Sequence, residues 1–184
     1  MEPNDFVFQI KVTLRGTRPP IWRRILVSRN INLAQFHNIL QVVMGWEDCH
    51  LHHFRVGNTF YGTPSDDFGM GTKNEKKVHL DEVLRKPKDR MMYEYDFGDS
   101  CEHDVVLEKI IPKNPKMKYP FMVKGKGTCP PEDIGGVWGY YEFLEAVSDP
   151  NHPNHEEMLE WHGDDTFNPD DFDADVINAY IQRH

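Results

Sequence analysis

Only three cysteines, Cys49, Cys101 and Cys129, occur in 184 residues, and no two form a CxxC pair. So sparse and odd a set excludes the disulfide framework of a small secreted domain and a zinc site built on paired thiols. No apolar run approaches the roughly 20 residues that span a bilayer. Met1 to Asp5 is polar and Phe6 to Leu14 alternates, so no signal-peptide pattern is visible. The expectation is a cytoplasmic protein with no membrane partner. A P-loop and a GxGxxG are also missing, which leaves nucleotide binding without support. Basic residues nearly vanish from the C-terminal part. Residues 1–129 hold 20 Lys and Arg against 16 Asp and Glu, whereas residues 130–184 hold Arg183 alone against 14 acidic residues. With a net charge of −9, the chain makes a poor generic nucleic-acid binder, because such affinity comes largely from neutralising phosphates. A protein or a small ligand is the partner expected ahead of nucleic acid.

What remains is rich enough to fold. Hydrophobic residues make up 39% and aromatics 12%, which excludes a disordered chain. The length suits a single domain, residues 1–184, with a β-rich part over 5–129 and an acidic helical part over 130–184. In Phe6–Leu14 the alternate positions Phe6, Phe8, Ile10, Val12 and Leu14 are apolar, the mark of a half-buried strand. A second strand runs from Ile21 to Val27 after the Arg15 to Pro20 break. Asn32 can cap a helix whose apolar positions Leu33, Phe36, Ile39, Leu40, Val43 and Met44 recur at helical spacing, with Gly45 as its stop. This strand-strand-helix opening is β-grasp-like. His50–Val56 alternates again and turns at Gly57-Asn58. Residues 62–77 read as a long loop, Leu80–Leu84 as one helical turn, and Met91–Phe97 with Cys101–Ile111 as a hairpin.

Past Pro130-Pro131 the spacing predicts helices from about Trp138 to Val147 and from Pro153 to about Trp161. A last helix is expected to start at Asn168-Pro169-Asp170-Asp171 and to face inward through Phe172, Val176, Ile177 and Tyr180. The fold class expected is α+β, a mostly antiparallel sheet packed against helices, with a helical C-terminal third.

Several motifs in order carry a resemblance. They are Pro-Pro-Ile-Trp-Arg-Arg (19–24), Met-Gly-Trp (44–46) with His-Leu-His (50–52), Tyr-Asp-Phe-Gly-Asp (95–99) with Glu-His (102–103), and Cys-Pro-Pro-Glu-Asp-Ile-Gly-Gly (129–136) with Gly-Tyr (139–140). Over residues 5 to 181 the chain resembles the plasmid pRiA4b ORF-3-like family, with Cys101 standing where that family usually has Trp. The resemblance implies a plasmid- or transposon-associated protein, and some members carry a resolvase-like label. That label does not fit the chemistry here, since a serine recombinase needs a nucleophilic Ser among catalytic arginines and a basic DNA-binding segment.

Three segments supply a candidate pocket: His50 and His52 before Phe54, Asp99 and His103 at the hairpin, and Glu132 and Asp133 between Pro-Pro and Gly-Gly. Period-two spacing puts His50 and His52 on the face of Phe54 and Val56, and His103 on that of Val105 and Leu107. Such a set can be structural and hydrogen-bonded. It can also hold a divalent metal such as zinc through His50, His103 and Glu132, or work as an acid/base pocket. Asp99 is expected to fix its own turn, with Gly98 at positive φ. Gly135-Gly136 can offer N–H groups to an anion, against the charge of Glu132 and Asp133. Arg18, Arg23 and Arg24 around Trp22 can make a nucleic-acid patch or a solvated face paired with the acidic tail. Two functions follow: a binding or accessory module with a His/carboxylate pocket, or a small metal-dependent or acid/base enzyme using it.

Overall fold

The computed structural model describes residues 5–63 and 71–182. Alternation in the N-terminal half yields strands β1 (Phe6–Leu14) and β2 (Trp22–Ser28), followed by helix α1 (Leu33–Met44). Strands β3 (His52–Val56), β4 (Thr59–Gly62) and β5 (Lys73–Asn74), a helical turn over Glu75–Lys77, and the short α2 (Leu80–Val83) come next. Then follow β6 (Arg90–Tyr95), β7 (Cys101–Pro112), β8 (Phe121–Lys126) and helices α3 (Gly136–Ser148), α4 (His155–His162) and α5 (Ala174–Ile181). The strands form one sheet in the order β5-β4-β3-β6-β7-β1-β2-β8. Every pairing is antiparallel except β4 with β5. The α+β class and the strand-strand-helix opening are as expected. Part of the expected 62–77 loop lies outside the described residues; its described end forms β5 and the helical turn. Among the described residues no helix is long and apolar enough to cross a membrane.

Helix α1 starts where its sequence dictates. Asn32 accepts from the Gln35 N–H while the Gln35 side chain accepts from the Asn32 N–H, a reciprocal cap. Gly45 closes the helix at φ 88°, a left-handed conformation that glycine reaches without steric cost. Leu33, Phe36, Leu40, Val43 and Met44 of α1 pack on one face of the sheet, against Phe8, Ile10, Val12, Leu14, Ile25, Phe54, Tyr93, Val105 and Leu107. Each fully buried large side chain of this set contributes about 1.5–3 kcal/mol. The other face carries polar pairs. Against β1, the register passes from Gln9↔Lys109 to Ile10↔Leu107, so Glu108 is the extra residue of a bulge. Its carboxylate takes both Arg24 (2.6 and 2.8 Å) and Gln9 (2.8 Å).

The acidic third departs from expectation at its end. Helix α5 begins at Ala174, not near Asn168, because Asp173 caps it by accepting from the N–H groups of Asp175 and Val176. Asn168–Asp171 instead forms a turn held by the Thr128 hydroxyl, which donates to the Asn168 and Asp171 carbonyls at 2.7 and 2.8 Å. Val176 and Tyr180 are exposed, and the buried positions are Asn178 and Ile181. A polar residue sits inward there because the Asn178 amide bonds the Met122 N–H and carbonyl at 2.7 and 2.8 Å. It thereby closes the open edge of β8, which hydropathy spacing does not reveal.

Candidate functional site

Three loops meet at one end of the sheet. The first, Trp46–Leu51, joins α1 to β3. Its Trp46 ring stacks on Tyr95 at 5.0 Å, and its indole N–H donates to the Pro130 carbonyl at 3.0 Å. The connector is thereby tied to the loop after β8. His50 lies before β3, not in it, and its ring reaches toward the other two loops. Its Nε2 is 3.0 Å from Asp133 Oδ1, 3.6 Å from Asp96 Oδ2 and 3.7 Å from Glu132 Oε2. None of these contacts has hydrogen-bond geometry, so this buried nitrogen has no hydrogen-bond partner among the described residues.

Two of the three carboxylates are held by one oxygen and present the other. Asp96, directly after β6 at φ 56°, accepts from the N–H groups of Gly98 (2.9 Å) and Asp99 (3.3 Å) through Oδ1. Its Oδ2 faces His50. Glu132 accepts through Oε1 from the Glu47 N–H (2.9 Å) and the Tyr95 hydroxyl (3.0 Å), and its Oε2 faces His50. Burial, and then its bonds to Cys49 and Glu132, raise the Tyr95 pKa above the ordinary phenol value, so it stays a donor. Asp133 follows at φ 58° with an exposed side chain. Aspartate tolerates this left-handed backbone better than most residues; here it turns both Asp96 and Asp133 toward the imidazole.

A second histidine group lies beside the first. The rings of His37 and His52 stack at 3.4 Å and 5°. His37 Nδ1 meets the Tyr93 hydroxyl at 2.8 Å and its Nε2 meets Asp48 Oδ1 at 2.7 Å. His52 Nε2 meets Glu75 Oε2 at 2.9 Å, and that carboxyl is buried. Burial lowers the His37 pKa, as does the neighbouring His52. A cleft of about 890 Å³ runs along β3, lined by His37, His50, His52 and His53. Since successive strand residues face opposite ways, His52 and His53 open onto different sides of it. His53 sits between Phe60 and Phe97, 3.3 Å from Glu94, and burial lowers its pKa too.

Of the residues singled out in the sequence, the structure gathers His50, Glu132 and Asp133. His52 pairs with Glu75 instead. His103 is fully buried, with Nδ1 on the Tyr93 carbonyl at 3.2 Å and Nε2 without a partner among the described residues. It belongs to none of the ligand-compatible groups, which are His37/Asp48/His52, Cys49/His50/Glu132 and His50/Asp96/Asp133 among the described residues. Asp99 does not fix its own turn; Asp96 does, and it is Asp96 and Ser100, not Gly98, that take positive φ. Asp99 Oδ2 accepts the Gly135 N–H at 2.9 Å, so that amide is not left for an anion. Tyr-Asp-Phe-Gly-Asp does not by itself single out Asp96, because either aspartate can hold such a turn. His37, Asp48 and Glu75 gave no local signal.

The three arginines do not make one exposed patch. Arg23 is buried, and its guanidinium donates to the carbonyls of Val43 (2.7 Å), Trp22 (3.0 Å) and Lys126 (3.0 Å) and to Cys129 Sγ (3.2 Å). Arg24 pairs with Glu108 of the sheet, not with the acidic tail. Arg18 alone is exposed, its N–H donating to the Tyr141 hydroxyl.

Comparison with known proteins agrees with this arrangement of motifs. The model of the family described as plasmid pRiA4b ORF-3-like protein matches residues 6–176. The chain belongs to that family. It is similar to uncharacterized protein y4hQ of Sinorhizobium fredii, 38% identical over 173 residues that cover 94% of this chain and 86% of that one. The crystal structure of protein of unknown function MM3350 from Methanosarcina mazei Go1 is similar throughout. Its TM-score is 0.84 at 39% identity, covering 92% of this chain and 95% of that one. All four motif segments of the pRiA4b ORF-3-like chain fall inside the matched span, and three of them supply the residues around His50.

Proposed function

We propose that this member of the pRiA4b ORF-3-like family is a metal-binding accessory module that holds one divalent cation at His50 with Asp96 and Asp133, beside Glu132. One observation carries the reading: a buried imidazole nitrogen without a hydrogen bond, faced by three carboxylate oxygens, two of whose carboxylates are anchored by their other oxygen. Spacing supports it. Two ligand atoms each bound at about 2.1 Å to a common ion lie about 3.0–3.5 Å apart; Asp133 and Asp96 approach His50 Nε2 to 3.0 and 3.6 Å, and ligand atoms of the three residues lie within 4.8 Å of one another. The donors of Glu132 and Asp96, namely Tyr95, Glu47 and the 98–99 backbone, are the kind of outer support that orients metal ligands. Nitrogen and oxygen donors together suit zinc or manganese.

The test is elemental analysis of untagged protein with melting curves before and after chelation. About one ion per chain is expected. At a free ion concentration 100 times Kd, binding adds about 2.7 kcal/mol, so chelation should lower Tm by about 5–10 °C. Protein that carries no metal and gains nothing in Tm from zinc or manganese sinks the reading.

A second reading, a small enzyme using the same centre, has one observation in its favour. The cleft of about 890 Å³ shares His50 with the centre, which gives a substrate room beside the ion. Turnover of ester or phosphoester probes by the metal-loaded protein, absent from the chelated one, distinguishes it from the module.

A further inference from the structure

We propose that Cys49, together with His50 and Glu132, is a ligand at this centre and makes it selective for a thiophilic ion of the zinc class. The inference rests on the metal-binding reading and deepens it. A Cys49 sulfur, a His50 ring nitrogen and a Glu132 oxygen lie within 4.8 Å of one another. His50 is therefore shared by two sets, one with the carboxylates Asp96 and Asp133 and one with a thiol and Glu132. Tyr95 joins Cys49 to Glu132. Its hydroxyl accepts the Cys49 N–H at 3.1 Å and donates its single proton to Glu132 Oε1 at 3.0 Å. The sulfur lies 3.7 Å from the same oxygen, a long and weak contact that a metal ion would replace.

The other two thiols mark the difference. Cys101 is buried, and burial, with the charges of Asp99 and Asp96 behind it, pushes its thiol up to about 12. Cys129 is buried under Arg23, and burial raises its pKa as well. Cys49 is exposed, and its sulfur lies within 4.8 Å of a His50 ring nitrogen. Thiolate ligands favour zinc and its borderline-soft neighbours, while carboxylates alone suit magnesium and manganese. Replacing the sulfur should therefore shift preference between ions and leave the site standing.

Cobalt(II) titration of the full chain reads this directly. The wild type should show visible d–d bands together with a near-ultraviolet sulfur-to-cobalt charge-transfer band. Cys49→Ser should keep the visible bands and lose the near-ultraviolet one. Zinc affinity in that variant should fall at least about tenfold, with manganese affinity changed by no more than about twofold. Alkylation adds a second readout, because Cys49 is the exposed one of the three cysteines. One iodoacetamide equivalent should react in the chelated native protein, and zinc should suppress the reaction. Visible bands without a charge-transfer band in the wild type would overturn the role of Cys49 and leave the His/carboxylate centre in place. No cobalt spectrum at all, in either protein, would overturn the centre itself.

Discussion

Two groups of histidines sit side by side in this protein and are treated in opposite ways. His37 stands on α1 and His52 on β3, so regular elements fix both, and each ring nitrogen named above has a partner. The hydrogen-bond logic closes. Burial raises the Tyr93 pKa well above the ordinary phenol value, so Tyr93 stays protonated. It accepts from the Gln41 amide at 2.9 Å and donates to His37 Nδ1. His37 Nε2–H then donates to Asp48, whose own N–H donates to the Gln41 side chain at 2.9 Å. His50 stands on a loop, and the oxygens facing it belong to two other loops. Buried polar groups that are satisfied specify structure. One left unsatisfied among convergent carboxylates calls for a ligand.

The largest effects should come from swapping the two histidines out separately. His52→Ala leaves the buried Glu75 carboxyl without its imidazole and opens a void beside His37. An orphaned buried group of this kind costs about 3 kcal/mol, which urea denaturation will register. Ion affinity in that variant should stay within about threefold. His50→Ala should do the reverse: affinity falls at least about 100-fold, while the chelated protein loses less than about 0.5 kcal/mol. If both variants lost stability and affinity alike, the two groups would be one site and the contrast would collapse.

His103 sharpens the contrast in a different way. Its Nε2 is an orphan like that of His50, but it lies in the core, outside the ligand-compatible groups among the described residues. Burial holds its pKa down to about 4, against about 6.5 in an unfolded chain. Above pH 6.5 the ring is neutral in both states and pH has no leverage. Below that, the unfolded chain takes up a proton that the folded one refuses, so stability falls as pH drops toward 4. The loss is on the order of 2–3 kcal/mol at pH 4.5. His37, lowered for the same reason, acts in the same direction. His103→Asn keeps a donor for the Tyr93 carbonyl and should flatten the pH 7 to 4.5 slope in urea melts. An unchanged slope would assign acid sensitivity elsewhere.

How much of this could be read in the sequence follows from how local each cause is. Periodicity and the Asn32 and Gly45 signals placed α1, and alternation placed the long strands, because those depend on neighbours a few positions away. Asn168-Pro169-Asp170-Asp171 has a helix-start composition, yet the helix starts later, because the deciding contact, Thr128, comes from 40 positions earlier. At the site, His50, Glu132 and Asp133 stood out as chemistry-bearing residues on adjacent motifs. Glu75 did not, since nothing near it announces a partner 23 positions back. Arg23 looked like surface charge in a basic run, and only the fold shows its guanidinium sealed under α1 and β8. Which aspartate of the hairpin turn faces His50 was decided by backbone sign at Asp96 and by the Gly135 N–H claiming Asp99.

The finest test uses two tyrosines on one strand. Tyr93 and Tyr95 are two apart on β6, so both face the helices, yet their hydroxyls serve different groups. Tyr93 serves the His37 ring and Gln41; Tyr95 serves Glu132 and Cys49. Removing each oxygen alone therefore separates structure from site with almost no change in packing. Tyr93→Phe leaves His37 Nδ1 and the Gln41 amide short of a partner, so stability should fall by about 1–2 kcal/mol with ion affinity unchanged. Tyr95→Phe frees Glu132 Oε1 from one of its two donors and loosens the carboxylate. Loss of such outer support typically costs about tenfold or more in metal affinity, while stability of the chelated protein should change by less than about 1 kcal/mol. Isothermal titration with zinc and urea melts on the same two variants give both numbers. Equal losses of affinity in the two would mean that the His37 network and the His50 centre are mechanically coupled through β6, and the division between satisfied and open histidines would have to be redrawn.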